Sequence, residues 1–297
     1  MQEIGFIGFG EAARAIVDGW QDEGRHARIS AFDLKVADAD KAEAMRAACA
    51  ERGVTCAATV ADMLDRRDLI FSLVTADNAL EAARSVATAI GPGAFYLDGN
   101  SCSPDTKRKA AAVIVAAGGR YADVAIMSPI HPGRHQTPCL VSGPDAADAA
   151  AAMTAWGMKL RPAGAAIGDA SAVKMVRSVM IKGTEALMAE CFLTAFRAGV
   201  LDQVLASLGA SDPGIDWPRK AAYCLERMMV HGTRRAAEMG EAVATLHEYD
   251  VPAGMSAACV LWQKQIGALH LDPGADDLAT RLQALSGALN ATPGDTV

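Results

Sequence analysis

The sequence predicts an α/β fold in two parts: a doubly wound sheet over residues 1–165 and an all-helical domain over residues 166–297. Three observations predict it. A short apolar strand, Glu3 to Ile7, runs through the turn Gly8-Phe9-Gly10 into helical apolar spacing at Ala12, Ala13, Ile16 and Val17. Strand-like and helix-like runs then alternate as far as Pro162, as in successive βαβ units. From about 168 to 199 the pattern is one long helix, and everything after it is helical.

The totals set the outer limits. With 51% hydrophobic and 21% charged residues among 297, a sizeable core is affordable and disorder is not the default. A net charge of −7 argues against nucleic acid or an anionic membrane as partner and leaves a small molecule as the expected one. The seven cysteines, at 49, 56, 102, 139, 191, 224 and 259, include no C-x-x-C pair, which reads as reduced thiols rather than a disulfide framework or zinc site. The chain runs directly into a strand without a basic leader. No apolar stretch reaches the ~18 residues of a membrane span. A cytoplasmic protein is expected.

In the first turn Gly8 permits the tight bend, Gly10 lets backbone approach a pyrophosphate, and Ala13 fills the third, helix-packing position of a G-x-G-x-x-G/A fingerprint. Gly8, Phe9, Gly10, Glu11 and Ala12 would form the cradle, because free N–H groups and the dipole at a helix start favour anions. The next strand, Arg28 to Phe32, ends at Asp33, about 20 residues beyond the fingerprint, where an acid suits the adenosine ribose diol. Strand, turn, helix, strand and acid together indicate a Rossmann-type dinucleotide-binding domain. An acid at 33 repels a 2′-phosphate, so NAD is favoured; Lys35, two residues on, blunts that preference and keeps NADP open.

Asp68 to Val74 is a buried strand whose carboxyl end places Val74 and Thr75 on the ligand side of an open parallel sheet. A helix from about Asn78 to Ile90, the turn Gly91-Pro92-Gly93 and a strand Ala94 to Leu97 follow. Further strands are expected at Arg120–Met127, Cys139–Ser142 and Leu160–Pro162, with a helix at Asp145–Trp156.

Leu97 to Arg108 reads L-D-G-N-S-C-S-P-D-T-K-R. With the glycine turn and Lys174-Met175-Val176, this segment resembles the 6-phosphogluconate dehydrogenase and 3-hydroxyacid dehydrogenase superfamily. There the matching strand end reads D-G-G-N-S…D-T-x-R in the sugar-phosphate enzymes and D-x-S-T-x-S-P in the hydroxyacid enzymes. The segment is a hybrid of the two. The resemblance implies Asn100 near the nicotinamide, Ser101 on the substrate carboxylate, and a lysine general base at Lys174. It also implies a substrate loop after the Arg120–Met127 strand. Here that loop keeps Asp123 but replaces the family's glycines with Ser128-Pro129, followed by His131 and His135. Pro132 and Gly133 between the histidines break the helical spacing a metal pair would need, so no metal is expected; Ser128 and His131 are candidate substrate contacts.

Counting about 100° per residue from Lys174, Ser178 lies about 40° round the long helix, Ile181 about −20° and Glu185 about 20°, with Lys182 toward the edge at about 80°. The sugar-phosphate enzymes read K-M-V-H-N here, with an acid three residues after the asparagine. This chain has Arg177 for the histidine, Ser178 for the asparagine and Ile181 for the acid. Loss of the acid points to a simple oxidation or reduction rather than oxidative decarboxylation. Lys174 would take the substrate hydroxyl proton, for which its pKa must fall from ~10.4 toward working pH through desolvation or neighbouring charge such as Arg177.

Beyond Gly199, helices are expected at about 200–208, 217–247, 253–269 and 275–290, separated by Asp-Pro-Gly and Asp-Val-Pro breaks, with a disordered tail from 290. His231, Arg234, Arg235 and Glu238 share one helix face. It is either a solvated, salt-bridged face or one from which His231 or Arg235 reaches the substrate's anionic end. The expected protein is an NAD(P)-dependent oxidoreductase on a small hydroxy acid or related alcohol, a homodimer through the helical domain. Its rivals are an imine reductase, which would carry Asp or Tyr in place of Lys174, and a dinucleotide-binding regulator without turnover.

Overall fold

The computed structural model describes residues 2–65 and 67–291. They form two compact units, one ending at Met175 and one beginning at Val176. The division falls inside a single long helix. The tail expected to be disordered lies, from residue 292 on, outside the described residues.

The first unit is an eight-stranded sheet in the order β3-β2-β1-β4-β5-β6-β7-β8. The strands are β1 (Glu3–Ile7), β2 (Arg28–Phe32), β3 (Thr55–Cys56), β4 (Leu69–Ser72), β5 (Phe95–Asp98), β6 (Arg120–Ile126), β7 (Cys139–Ser142) and β8 (Leu160–Gly164). All neighbours pair in parallel except β6 with β7. The order reverses between β1 and β4, which opens a crevice at the carboxyl ends of those strands.

Among the described residues six helices cover the sheet: α1 (Glu11–Asp22), α2 (Ala42–Ala50), α3 (Val60–Leu64), α4 (Ala79–Ala87), α5 (Pro104–Ala116) and α6 (Ala146–Ala155). Both faces are therefore buried, and side chains alternate between two cores. Ile4, Phe6, Leu69, Phe71, Phe95 and Leu97 pack with Trp20 on one side. Ile7, Ile70, Tyr96 and Tyr121 pack with Ile114 on the other. This two-sided burial is why the strands read as near-continuous apolar runs. Between Asp33 and Asp68 the structure adds α2, the two-residue β3 and the five-residue α3, the last two too brief for a periodic signature.

The long helix is α7 (Asp169–Arg197). The second unit contains its part from Val176 onward together with α8 (Leu201–Ser211), α9 (Trp217–Glu248), α10 (Gly254–Gly267) and α11 (Leu278–Ala291). α9 and α10 cross at Gly232 and Gly267, where a β-carbon on Gly232 would stand 2.7 Å from the Gly267 Cα. None of the described helices is long and apolar enough to cross a membrane.

Candidate active site

The turn after β1 is built on glycine for steric reasons. Gly8 has φ +83°, and a β-carbon there would stand 2.5 Å from the Leu73 carbonyl oxygen at the end of β4. Gly10 precedes the first turn of α1 without a capping side chain, and nothing lies within 4 Å of where its β-carbon would be. That open space over a helix start, whose first N–H groups have no partners within the helix, fits a dinucleotide pyrophosphate. Glu11 is exposed and Ala12 half-buried beside it. Phe9 is a structural member instead: its ring is fully buried, and its N–H donates to Asp33 Oδ2 at 2.9 Å. Asp33 Oδ1 accepts the Lys35 N–H at 3.0 Å, so the carboxylate ties the β1 turn to the segment after β2. The carboxylate remains half-exposed and the Lys35 side chain exposed, where the adenosine ribose would lie.

On the other side of the crevice Val74 and Thr75 follow β4, Val74 half-buried and Thr75 exposed. Asn100 is buried just past β5. Its side-chain carbonyl accepts the Val74 N–H at 2.7 Å, and its amide donates to Ser72 Oγ at 2.9 Å. Asn100 therefore clips the carboxyl ends of β4 and β5 together. Next to it, the Lys174 ammonium donates to Ser101 Oγ at 2.6 Å, both residues half-buried. The structure thus brings together two residues 73 positions apart that the sequence named for chemistry. The positive charge of Lys174 is also felt by Cys139: burial pushes that thiol up to about 11, with Lys174 opposing.

A group the sequence reading did not single out lies beneath this pair. Lys107, fully buried on α5, donates from Nζ to the Asp98 carbonyl oxygen at 2.7 Å and to Asp98 Oδ1 at 2.8 Å, and stands 3.2 Å from Asp123 Oδ1. Burial alone would lower the Lys107 pKa; the charges of Asp98 and Asp123 outweigh it and hold the ammonium above its ordinary value. Tyr121 donates to Asp98 Oδ2 at 2.7 Å, and burial, reinforced by the two aspartates, pushes its phenol well up. Asp123 accepts from the Ser171 N–H at 2.9 Å and Ser171 Oγ at 2.6 Å, which anchors the first turn of α7. The helix periodicity held the signal for this group: Pro104, Lys107, Ala110, Ala111 and Ile114 are the buried face of α5.

The loop after β6 leaves Ser128 and His131 exposed. His135 instead packs against Gly19 and reaches Glu23 at the C-terminal end of α1, Nε2 to Oε1 3.1 Å. That is the end of α1 opposite Gly10. In the helical unit Arg177 is exposed, His231 half-buried and Ser178 buried. Arg235 is buried in a two-pronged ion pair with Glu185, Nε to Oε2 2.9 Å, so its guanidinium is already engaged. Lys182, given the edge of the stripe by helix counting, is buried between Ser178 Oγ at 3.2 Å and Glu238 at 2.8 Å. Among the described residues no cluster of His, Cys, Asp or Glu could hold a metal ion.

Comparison with known proteins agrees with the fold. Residues 3–164 match the NAD binding domain of 6-phosphogluconate dehydrogenase, and residues 195–266 match a domain of unknown function, DUF1932. A solved structure of a conserved hypothetical protein from Sinorhizobium meliloti 1021 is 37% identical over 97% of each chain, with a TM-score of 0.74. A conserved protein of unknown function, described as structurally similar to 3-hydroxyacid dehydrogenases, is 28% identical over 92% of this chain and 99% of its own, TM-score 0.68. The Mycobacterium tuberculosis 3-hydroxyisobutyrate dehydrogenase, solved with L-serine, shares the fold at 17% identity, TM-score 0.72, over 96% and 99% of the two chains. The chain therefore belongs to the 6-phosphogluconate dehydrogenase and 3-hydroxyacid dehydrogenase superfamily, in a branch whose helical part contains a domain of unknown function.

Proposed function

We propose that this protein is an NAD(P)-dependent oxidoreductase acting on a small hydroxy acid or related alcohol, with Lys174 as general acid and base. The observation that carries the reading is the 2.6 Å hydrogen bond between Lys174 Nζ and Ser101 Oγ, just beyond the carboxyl end of β5. A nicotinamide, when bound, supplies the hydride acceptor or donor. Gly8, Gly10, Glu11 and Ala12 would hold its pyrophosphate at the start of α1, and Asp33 would take the ribose diol. The Asp33 carboxylate favours NAD over NADP, since a 2′-phosphate would meet its charge. Asn100 holds the β4 and β5 rims in register and orients the backbone around Val74.

In the oxidising direction the Ser101 hydroxyl holds the substrate carboxylate and neutral Lys174 Nζ takes the substrate hydroxyl proton. In the reducing direction the Lys174 ammonium returns it. Screening small hydroxy acids for NADH production identifies the substrate. On that substrate, Lys174→Ala lowers kcat by roughly 100-fold or more while the NADH Kd stays within a few-fold. A kcat within a few-fold of the parent removes Lys174 from the chemistry. Tight NAD binding with no turnover of any candidate favours a regulatory protein instead.

A further inference from the structure

Lys107 places a full positive charge in the middle of the first unit, between two aspartates that are themselves 0% exposed. Asp98 and Asp123 are direct cross-strand partners, the last register pair of β5 and β6. The Lys107 ammonium lies against both carboxylates and offsets their mutual repulsion in a dry interior. Each aspartate also accepts further hydrogen bonds. Asp98 Oδ1 accepts the Asn100 N–H at 3.0 Å, which shapes the turn that presents Ser101 one residue later. Asp123 accepts both Ser171 donors, and Ser142 Oγ, 3.2 Å from Asp123 Oδ2, accepts the Ala170 N–H at 2.9 Å. Ser171 precedes Lys174 by about one helical turn, so a shift at Ser171 carries Lys174 with it.

We propose that Lys107 is a positioning residue for the Lys174–Ser101 pair, clamping through Asp98 the turn that bears Ser101 and through Asp123 the helix start that bears Lys174. Both halves of the pair thus hang from one ammonium. A hydrophobic residue of similar length would fill the space but leave the two carboxylates without their common partner. The mount stands on geometry alone; its consequence for catalysis rests on the reading of Lys174 given above.

The test is Lys107→Met, compared with the charge-balanced Lys107→Met/Asp98→Asn and Lys107→Met/Asp123→Asn. In Lys107→Met the two carboxylates face each other without the ammonium between them, so carrying both negative charges in the folded state costs stability. That cost is small at low pH, where the pair does not carry both charges, and grows as pH rises. The thermal midpoint should fall further from the parent at about pH 8 than at about pH 5. Both double variants should remove most of that pH dependence. Amide exchange, followed by mass spectrometry, should quicken at residues 99–103 and 169–175 more than elsewhere in the first unit. With a substrate in hand, kcat should fall more than KM rises, and NADH binding should hold.

If Lys107→Met does not fold, Lys107→Met/Asp98→Asn carries the exchange measurement. The same midpoint loss at both pH values, or unchanged exchange in both segments, overturns the proposal. An active Lys174→Ala would overturn the catalytic reading and leave the exchange result standing, so the two failures are distinguishable.

Discussion

At Gly8 the backbone angle, the facing Leu73 carbonyl and the start of α1 all meet at one α-carbon. A methyl group there is both strained at φ +83° and in collision with backbone, which cannot swing aside as a side chain can. Gly8→Ala should therefore cost about 1–3 kcal/mol and weaken NADH binding as well. Chemical denaturation and a fluorescence titration with NADH check the two effects; parent-like values for both would mean that the turn is looser than its angles indicate. Gly8 was legible as a turn glycine from its local pattern; Lys174 was singled out by resemblance, and its contact with Ser101 is what the structure adds. Asn100 was legible only in part. Resemblance placed it near the nicotinamide, and its buried amide turns out to join β4 to β5. Helix spacing puts Lys107 on the buried face of α5 with Ala110, Ala111 and Ile114, but the polar run Thr106-Lys107-Arg108-Lys109 masks it. Its partners come from β5 and β6, and no local pattern announces a contact that only the sheet register creates.

Elements show where periodicity informs and where it stops. α7 was recognisable at nearly its full length, yet the wheel alone could not say which face is buried. Its buried stripe in the helical unit includes polar Ser178, Lys182 and Glu185, while Met180 is 70% and Leu187 59% exposed, the reverse of an ordinary surface helix. Burial of those polar groups is tolerable because Glu238, Arg235 and Gln263 meet them. The α9–α10 crossing gives a sharper test. Gly232→Ala forces a methyl into the backbone of α10 and should destabilise the protein by about 1–3 kcal/mol. Gly240→Ala, on the same helix with nothing within 4 Å of its β-carbon, should stabilise it by about 0.5–1 kcal/mol. Equal midpoints for the two variants in urea would show that the crossing is not the constraint.

For the whole molecule, parallel pairing and helix cover on both faces follow from alternation of strand and helix, so the strands of the first unit were nearly all readable, though their order was not. The antiparallel direction of β7 was not, because a four-residue apolar strand carries no mark of its direction. The helical unit was readable as helices but not as a packing arrangement, since its buried ion pairs join residues about fifty positions apart, such as Glu185 and Arg235.

The seven scattered cysteines acquire a use from this packing. Cys191 alone is exposed, Cys56 is half-buried and the other five are buried. Burial holds Cys49 up at about 12 and Cys139, Cys224 and Cys259 at about 11, which leaves little thiolate to react near neutral pH. In a native-state alkylation time course Cys191 should modify first, and the buried thiols only as fast as their surroundings open. Cys49 and Cys139 belong to the first unit and Cys224 and Cys259 to the second, so peptide-resolved alkylation becomes a pair of clocks, one for the opening of each. Should Cys139 or Cys259 be alkylated as quickly as Cys191, the packing around it would be wrong.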